Sequence, residues 1–473
     1  MCAIFGALLR NVQTKHDLET VNKILAAIML SSEERGRDGW GYQCHADGKM
    51  WGDRAVPQHT TTDHFGKPMV PPYDGEYFRR TFMFGNIIGN MRAEPTTEWV
   101  KEKASSDQQP YIAGAWSIVH NGTIANDAEL RTHRLRTQID SAAIAELLEG
   151  YKPDDRYSID QVLAGFGNAM EMLVGSYAVL ATAAGYDRAV LVSCNYRPVW
   201  YITTPWGFFF ASSRDYFPQG FVPEMVEPYT HAIFYVGQNG QLGCRKMAHR
   251  SQGASFKALV IASGGLDSTV AAVEMIRRGY EVELIHFEYG SRAQGPEVAA
   301  VTAIAARLGV TLTRFPLPVY KPADSPLLRE SNGVAKGESG AEFAHEWVPA
   351  RNLILMSVAT AYAEANGFDT IVLGNNLEEA GAYPDNEPEF VRRFSDLLPF
   401  AVGVNKRMRV EMPVGNLMKH EIVAMGLEIG APLDLTWSCY HAHDKHCGDC
   451  GPCFMRKTAF EINNQKEVIE YER

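Results

Sequence analysis

A chain of 473 residues exceeds what one hydrophobic core ordinarily organises, so two or three domains are expected. Hydrophobic residues make up 46% and charged residues 21%, which excludes a disordered chain, and no apolar run reaches the roughly 18 residues of a membrane span. The net charge of -11 argues against a broad nucleic-acid-binding face and leaves the small basic groups Arg131, Arg134, Arg136 and Lys406, Arg407, Arg409 as local contacts or solvated faces.

Met1–Arg10 has no basic stretch before a long apolar core, so no secretory signal is expected and the expected location is the cytoplasm. The segment places a thiol, Cys2, ahead of an apolar strand. Removal of Met1 would free an α-amine with a reference pKa near ~8, able to take the thiol proton, so that nucleophile and base are one residue. Alone, Cys2 reads equally as a chance cysteine of a buried strand.

Downstream residues break the tie. Helical periodicity covers Asp17–Leu30, Asp140–Glu149 and Ile159–Leu173 among many short strands up to Val236. Arg35, Gly36, Arg37, Asp38, Gly39, Trp40, Gly41 form a glycine-rich turn; Arg92 ends a strand from Thr81; His120, Asn121, Gly122, Thr123 end another. With Cys2 and Asp140 these resemble the class II glutamine amidotransferases, the N-terminal-nucleophile glutaminases. The resemblance covers residues 2–245 and implies a four-layer α/β/β/α sandwich that hydrolyses glutamine to glutamate and ammonia. It implies that Cys2 attacks the amide, that Asn121 and the Gly122 N–H stabilise the oxyanion, and that Arg92 and Asp140 bind the α-carboxylate and α-ammonium of glutamine. Ala93, Glu94, Pro95 depart from the Trp and Thr of several family members. Trp40, Trp99 and Trp116 are candidates for the site or for the core.

From 246 to 256 the sequence turns polar and loses periodicity at Ser251, Gln252, Gly253, which reads as a linker. Strands at Ala258–Ala262, Val282–Phe287, Thr311–Phe315 and Thr370–Leu373 then alternate with helices, the pattern of a doubly wound parallel sheet over residues 257–473. After the first strand, Ser263, Gly264, Gly265, Leu266, Asp267, Ser268 open a helix. Glycine lets the backbone approach a ligand, and the helix aims free amides and its positive end at an anion. There is no Lys-Ser/Thr of a Walker A motif. The loop resembles the PP-loop of the ATP pyrophosphatases, which implies that Ser263–Ser268 bind ATP phosphates, that Asp267 helps place magnesium, and that ATP is split to AMP and pyrophosphate.

Phe287 to Arg292, Val348 to Asn352 and Tyr383, Pro384, Asp385 resemble the 7-cyano-7-deazaguanine synthases (QueC), over most of residues 257–460. That resemblance implies an acceptor site at Arg292, Arg351, Tyr383 and Asp385. Cys439, Cys447, Cys450 and Cys453, the last three spaced CxxCxxC, suit a tetrahedral zinc knuckle; an iron–sulfur cluster is the rival. In the family the zinc is structural, and His441, His443 and His446 are taken as loop residues.

Together these imply a glutamine- and ATP-dependent amide ligase with ammonia passed under shelter between two sites. The acceptor is expected to be 7-carboxy-7-deazaguanine or a relative, as a free base or carried in a nucleic acid, with no membrane partner. The alternatives are an amidotransferase that turns a nitrile into the formamidine of archaeosine-type bases, an asparagine-synthetase-like ligase, a base-modifying nucleic-acid-binding protein, and a non-catalytic scaffold.

Overall fold

The structure is a computed structural model that describes residues 2–36, 38–55, 77–93, 105–132, 134–151, 153, 156–250, 255–328, 347–380, 383–404 and 406–472. Expectations for Arg37, Glu94, Pro95, Trp99, Ser251, Gln252 and Gly253 lie outside the described residues. The chain divides into two compact units, Met1–Arg250 and Ser251–Arg473.

In the first unit the strands are β1 (Ala3–Val12), β2 (Gly39–Ala46), β3 (Lys49–Ala55), β4 (Phe82–Arg92), β5 (Tyr111–Ala113), β6 (Trp116–Ile124) and β7 (Gly175–Ala183). They continue with β8 (Ala189–Cys194), β9 (Trp200–Thr204), β10 (Gly207–Ala211), β11 (Glu224–Met225), β12 (Thr230–Val236) and β13 (Leu242–Ala248). A seven-stranded antiparallel sheet runs β11-β9-β10-β1-β4-β2-β3 and a six-stranded one runs β13-β12-β8-β7-β6-β5.

Strand residues alternate between faces, and β1 shows how both faces are used. Phe5, Ala7 and Leu9 pack with Val21, Leu25 and Ile28 of helix α1 (Lys15–Ser32), while Ile4 and Leu8 meet Val119, Leu180 and Phe234 between the sheets. Helices α2 (Ala142–Glu149) and α3 (Ile159–Met170) cover the second sheet with Ile144, Leu148, Val162 and Phe166. Each large side chain so buried stabilises the unit by about 1.5–3 kcal/mol. The layers are therefore helix, sheet, sheet, helix, as expected. Trp40 and Trp116 belong to the two outer cores. Residues Lys246–Ala248 of the expected linker are the end of edge strand β13, where the backbone needs pairing on one side alone.

The second unit builds β14 (Lys257–Ile261), β15 (Glu281–Glu288), β16 (Thr311–Pro316), β17 (Thr370–Val372) and β18 (Arg409–Glu411) into a parallel sheet ordered β16-β15-β14-β17-β18. Its longer helices are α4 (Leu266–Arg277), α5 (Gln294–Leu308), α6 (Arg351–Asn366), α7 (Pro388–Ala401), α8 (Lys419–Glu428) and α9 (Gly451–Ile462). Val260 and Leu284 face the core with α4, α5 and α8; Leu259 and Ile285 face that with α6 and α7. The order reverses between β14 and β17, which opens a crevice at their carboxyl ends.

Members of both basic groups pair with nearby acidic or carbonyl groups. Arg131 bonds Asp127 at 3.1 Å and the Thr137 carbonyl at 2.7 Å, and Arg134 pairs with Glu149. Arg409 lies in β18 and bonds Glu411 at 2.9 Å.

Candidate active sites

In the first unit, antiparallel pairing of Ala3 with Met91 brings Cys2 to the end of β4, where Arg92 sits. The Cys2 thiol is half-buried, 3.6 Å from the Ala93 carbonyl oxygen. Arg92 is 4% exposed and donates to the Asp107 carbonyl, which also accepts from Tyr111 OH at 2.9 Å; burial pushes the Tyr111 phenol up.

Asn121 and Gly122 lie within β6, opposite Ala178 and Tyr177 of β7, rather than in a hairpin turn. Asn121 is 1% exposed, and among the described residues neither its buried Oδ1 nor its Nδ2 has a hydrogen-bond partner. Leaving such a group unmade costs about 1–3 kcal/mol, a cost a ligand can remove.

Asp140 is occupied on both oxygens. Oδ2 accepts the Ile124 N–H at 2.6 Å, and Oδ1 accepts the Ser141 N–H at 2.6 Å and its hydroxyl at 3.1 Å, tying β6 to the start of α2. Sequence reasoning assigned nothing to His120, whose Nδ1 lies 2.7 Å from Ser141 Oγ. Burial pulls this imidazole down and the Asp140 carboxylate opposes it. Gln109 clamps the same strand, accepting the His120 N–H at 2.6 Å and donating to its carbonyl at 3.0 Å.

In the second unit, a cavity of about 280 Å³ opens at the crevice between β14 and β17. Ser263, Gly265, Leu266, Asp267 and Ser268 line it. Gly264 takes φ +83, a left-handed conformation, and its carbonyl turns away to accept the Trp437 N–H at 2.8 Å. The loop is braced internally: Ser263 Oγ accepts the Gly265 N–H at 3.1 Å and lies 3.2 Å from Ser268 Oγ. Gly265 caps α4 without a side chain, so the first-turn amides face the cavity end of the helix.

Lys419, at the start of α8, places its ammonium 2.6 Å from Asp267 Oδ2, with both side chains largely buried. Glu297 also lines the cavity; it accepts the Ser291 hydroxyl at 2.6 Å, and burial pushes its carboxyl up. Neither residue was singled out from sequence. Lys419 is 152 positions from Asp267, and no local pattern joins them.

Of the expected acceptor residues, Arg292, Arg351 and Tyr383 line this cavity. Arg351 donates to Tyr289 OH at 3.3 Å, and Tyr383 stacks on Trp347 with centroids 6.1 Å apart. Asp385 stands behind the wall: its Oδ2 accepts the Asn352 N–H at 2.9 Å, satisfying a first-turn donor of α6 and fixing Arg351 beside it.

Cys439, Cys447, Cys450 and Cys453 converge with all four sulfurs within 4.8 Å of one another. Cys447–Cys453 and Cys450–Cys439 are 3.9 and 4.0 Å apart. Four thiolates at ~2.3 Å from a tetrahedral zinc would lie ~3.8 Å apart, so the donor set fits that ion. His446 faces elsewhere, its Nε2 accepting the Ser438 N–H at 3.0 Å.

Residues 257–464 match the family model described as queuosine biosynthesis protein QueC, and residues 97–219 match that of a glutamine amidotransferase domain. A Sulfolobus acidocaldarius protein named 7-cyano-7-deazaguanine synthase is 41% identical over 484 residues, covering 100% of both chains. One of the same name from Saccharolobus solfataricus is 41% identical over 488 residues, again 100% of both. A third, from Nitratiruptor sp., is 35% identical over 218 residues, 46% of this chain and 99% of that protein. Family matches and relatives define an enzyme that joins an amidotransferase domain to a PP-loop domain, a glutamine-dependent ligase. The chain belongs to the 7-cyano-7-deazaguanine synthase family.

Proposed function

We propose that the enzyme uses glutamine and ATP to convert 7-carboxy-7-deazaguanine into the 7-cyano base. One observation carries this reading: the phosphate loop shares a single cavity with Arg292, Arg351 and Tyr383, so a nucleotide and a planar anionic acceptor can meet there. Where the sequence places the glutaminase at 2–245, the linker at 246–256 and the synthetase at 257–473, we assign the end of β13, Lys246–Ala248, to the glutaminase and keep 249–256 as the linker.

At the glutaminase site the Cys2 α-amine takes the thiol proton, and the sulfur attacks the glutamine side-chain carbonyl. Asn121 and the Gly122 N–H hold the oxyanion, an interaction worth about 2.7–4 kcal/mol per donor in comparable sites. Ammonia leaves, and water hydrolyses the thioester to glutamate. Arg92 pairs with the α-carboxylate, while Asp140, spent on backbone donors, holds the site's shape and can reach the α-ammonium only with oxygen lone pairs left over.

At the synthetase site the acceptor carboxylate attacks the α-phosphorus of ATP and pyrophosphate leaves into the Ser263–Ser268 loop. Ammonia attacks the activated carbonyl and AMP departs with one carboxylate oxygen, giving an amide after loss of a proton. A second ATP activates the amide oxygen; loss of AMP and two protons leaves the nitrile. Asp267, held by Lys419, is the residue that would carry magnesium, whose chemistry is to neutralise phosphate charge. Cys439, Cys447, Cys450 and Cys453 would hold zinc as a structural ion with no open position. Formation of the formamidine from a nitrile needs no activated oxygen, so the loop supports the nitrile-forming reading.

Mass spectrometry of the product from glutamine, ATP and candidate acceptors tests this. The nitrile with two AMP per product is expected; the formamidine, or turnover without ATP, would replace it.

A further inference from the structure

Asn375 lies just past β17, on the side of the crevice opposite the phosphate loop. β14 and β17 are parallel, with Val260 beside Val372 as the last paired position, after which the chain runs on from β17 through Leu373 and Gly374 to Asn375. The contact is close: a Cβ on Gly374 would stand 2.6 Å from the Ser268 nitrogen and 3.0 Å from the Asp267 carbonyl carbon. The strand end is thus seated on the loop's own backbone.

Asn375 is 9% exposed and forms part of the cavity wall, yet among the described residues its buried donor Nδ2 has no hydrogen-bond partner. An amide N–H2 left unmade in the interior is destabilising, and a bound acceptor removes the cost. The neighbouring chemistry says which acceptor. Asn375 stands beside the start of α4, where free amides favour anions, and Lys419 already offsets the Asp267 carboxylate.

We propose that the Asn375 side-chain amide donates a hydrogen bond to a phosphoryl oxygen of ATP held by the Ser263–Ser268 loop, making it a further catalytic residue of the synthetase site. This rests on the ATP-dependent reading above. The acceptor's carboxylate offers the same oxyanion chemistry, and the two sources are separable.

The test uses the full chain with Asn375→Ala, Asn375→Asp and Asn375→Gln. Steady-state AMP formation gives KM for ATP and for the acceptor, and calorimetric titration with α,β-methylene-ATP reads binding without turnover. A lost hydrogen bond to an ionised group should weaken ATP binding about 10- to 100-fold in Asn375→Ala. Asn375→Asp, the same shape with a negative charge and no donor, should be weaker still, and Asn375→Gln should recover part of the loss. KM for the acceptor and the unfolding temperature should stay near wild type, which a merely structural role would not allow.

The proposal is overturned if Asn375→Asp binds the analogue as well as Asn375→Ala or better, because the amide would then be accepting rather than donating. It is equally overturned if only the acceptor KM moves, which assigns the donor to the carboxylate, or if none of the variants changes analogue binding. Wild-type enzyme that binds the analogue but forms no AMP would sink the ligase reading and leave the Asn375 contact to be judged on binding alone.

Discussion

On the proposed mechanism Cys2, with its own amine free, would act as both nucleophile and base, so its loss should remove one nitrogen donor and spare the other. In Cys2→Ala, glutamine-dependent synthesis should fall by at least about 1,000-fold, while synthesis from ammonium salts persists. Paired assays with the two donors check this, and equal loss with both would dismantle the two-site scheme. Cys2, Arg92, Asn121 and Gly122 could be proposed from sequence because each stands at a strand end or in a short local motif. Their partners could not. Asp140 and Asp385 read from sequence as ligand-binding carboxylates, but folding gives their oxygens to the backbone N–H groups of Ile124, Ser141 and Asn352. Residue type announces a charge, and the competing backbone donors are decided by the fold.

Strand ends, rather than strand interiors, set the geometry of the synthetase site, and β17 gives a sharp case. Gly374→Ala places a methyl 2.6 Å from the Ser268 nitrogen, so the loop or the strand must give way. Misplacing reacting groups by about 1 Å costs on the order of 100-fold in rate, and ATP-to-AMP turnover should drop by that order. Unchanged turnover would mean that the loop is held by Trp437 and its own serines alone.

A second element-level prediction concerns His231 on β12, buried between Glu171 after α3 and His249 after β13. The two imidazoles stack with centroids 4.1 Å apart at 19°. Burial pulls the His231 pKa down to about 4, and its Nε2 lies 3.2 Å from the Glu171 carboxylate. An unfolded histidine binds its proton near pH ~6.5, so the unfolded state gains protons first and stability falls as pH drops from about 6.5 toward 4, by at most about 3 kcal/mol. Denaturant melts of wild type and His231→Gln across that range check the sign, the variant being flatter. None of this was legible in sequence, where three residues separated by 60 and 18 positions share no pattern.

At the scale of the whole molecule, the change from two antiparallel sheets to one parallel sheet was readable, because alternating short strands give way to strands spaced by helices. The short edge strand β18 was not, since three residues with two charges carry no periodicity. Two units with separate cores should unfold in separate steps, and the cysteine cluster bears on one of them alone. Cys450 both offers a sulfur and caps α9, whose Phe460 reaches the core beneath α4, so a metal held there fastens the C-terminal segment to the sheet. Thiolate-bound zinc adds its binding free energy to folding, and loss of one ligand leaves a distorted site. Metal analysis should find one zinc per chain, and Cys450→Ser should lower the unfolding temperature of the second unit by several degrees, on the order of a few kcal/mol, and reduce synthetase activity with it. The first unit's transition and its glutaminase activity should hold at or near wild type. Iron with acid-labile sulfide would replace zinc by a cluster, and a parallel fall of both transitions would show that the knuckle supports the whole chain rather than its last domain.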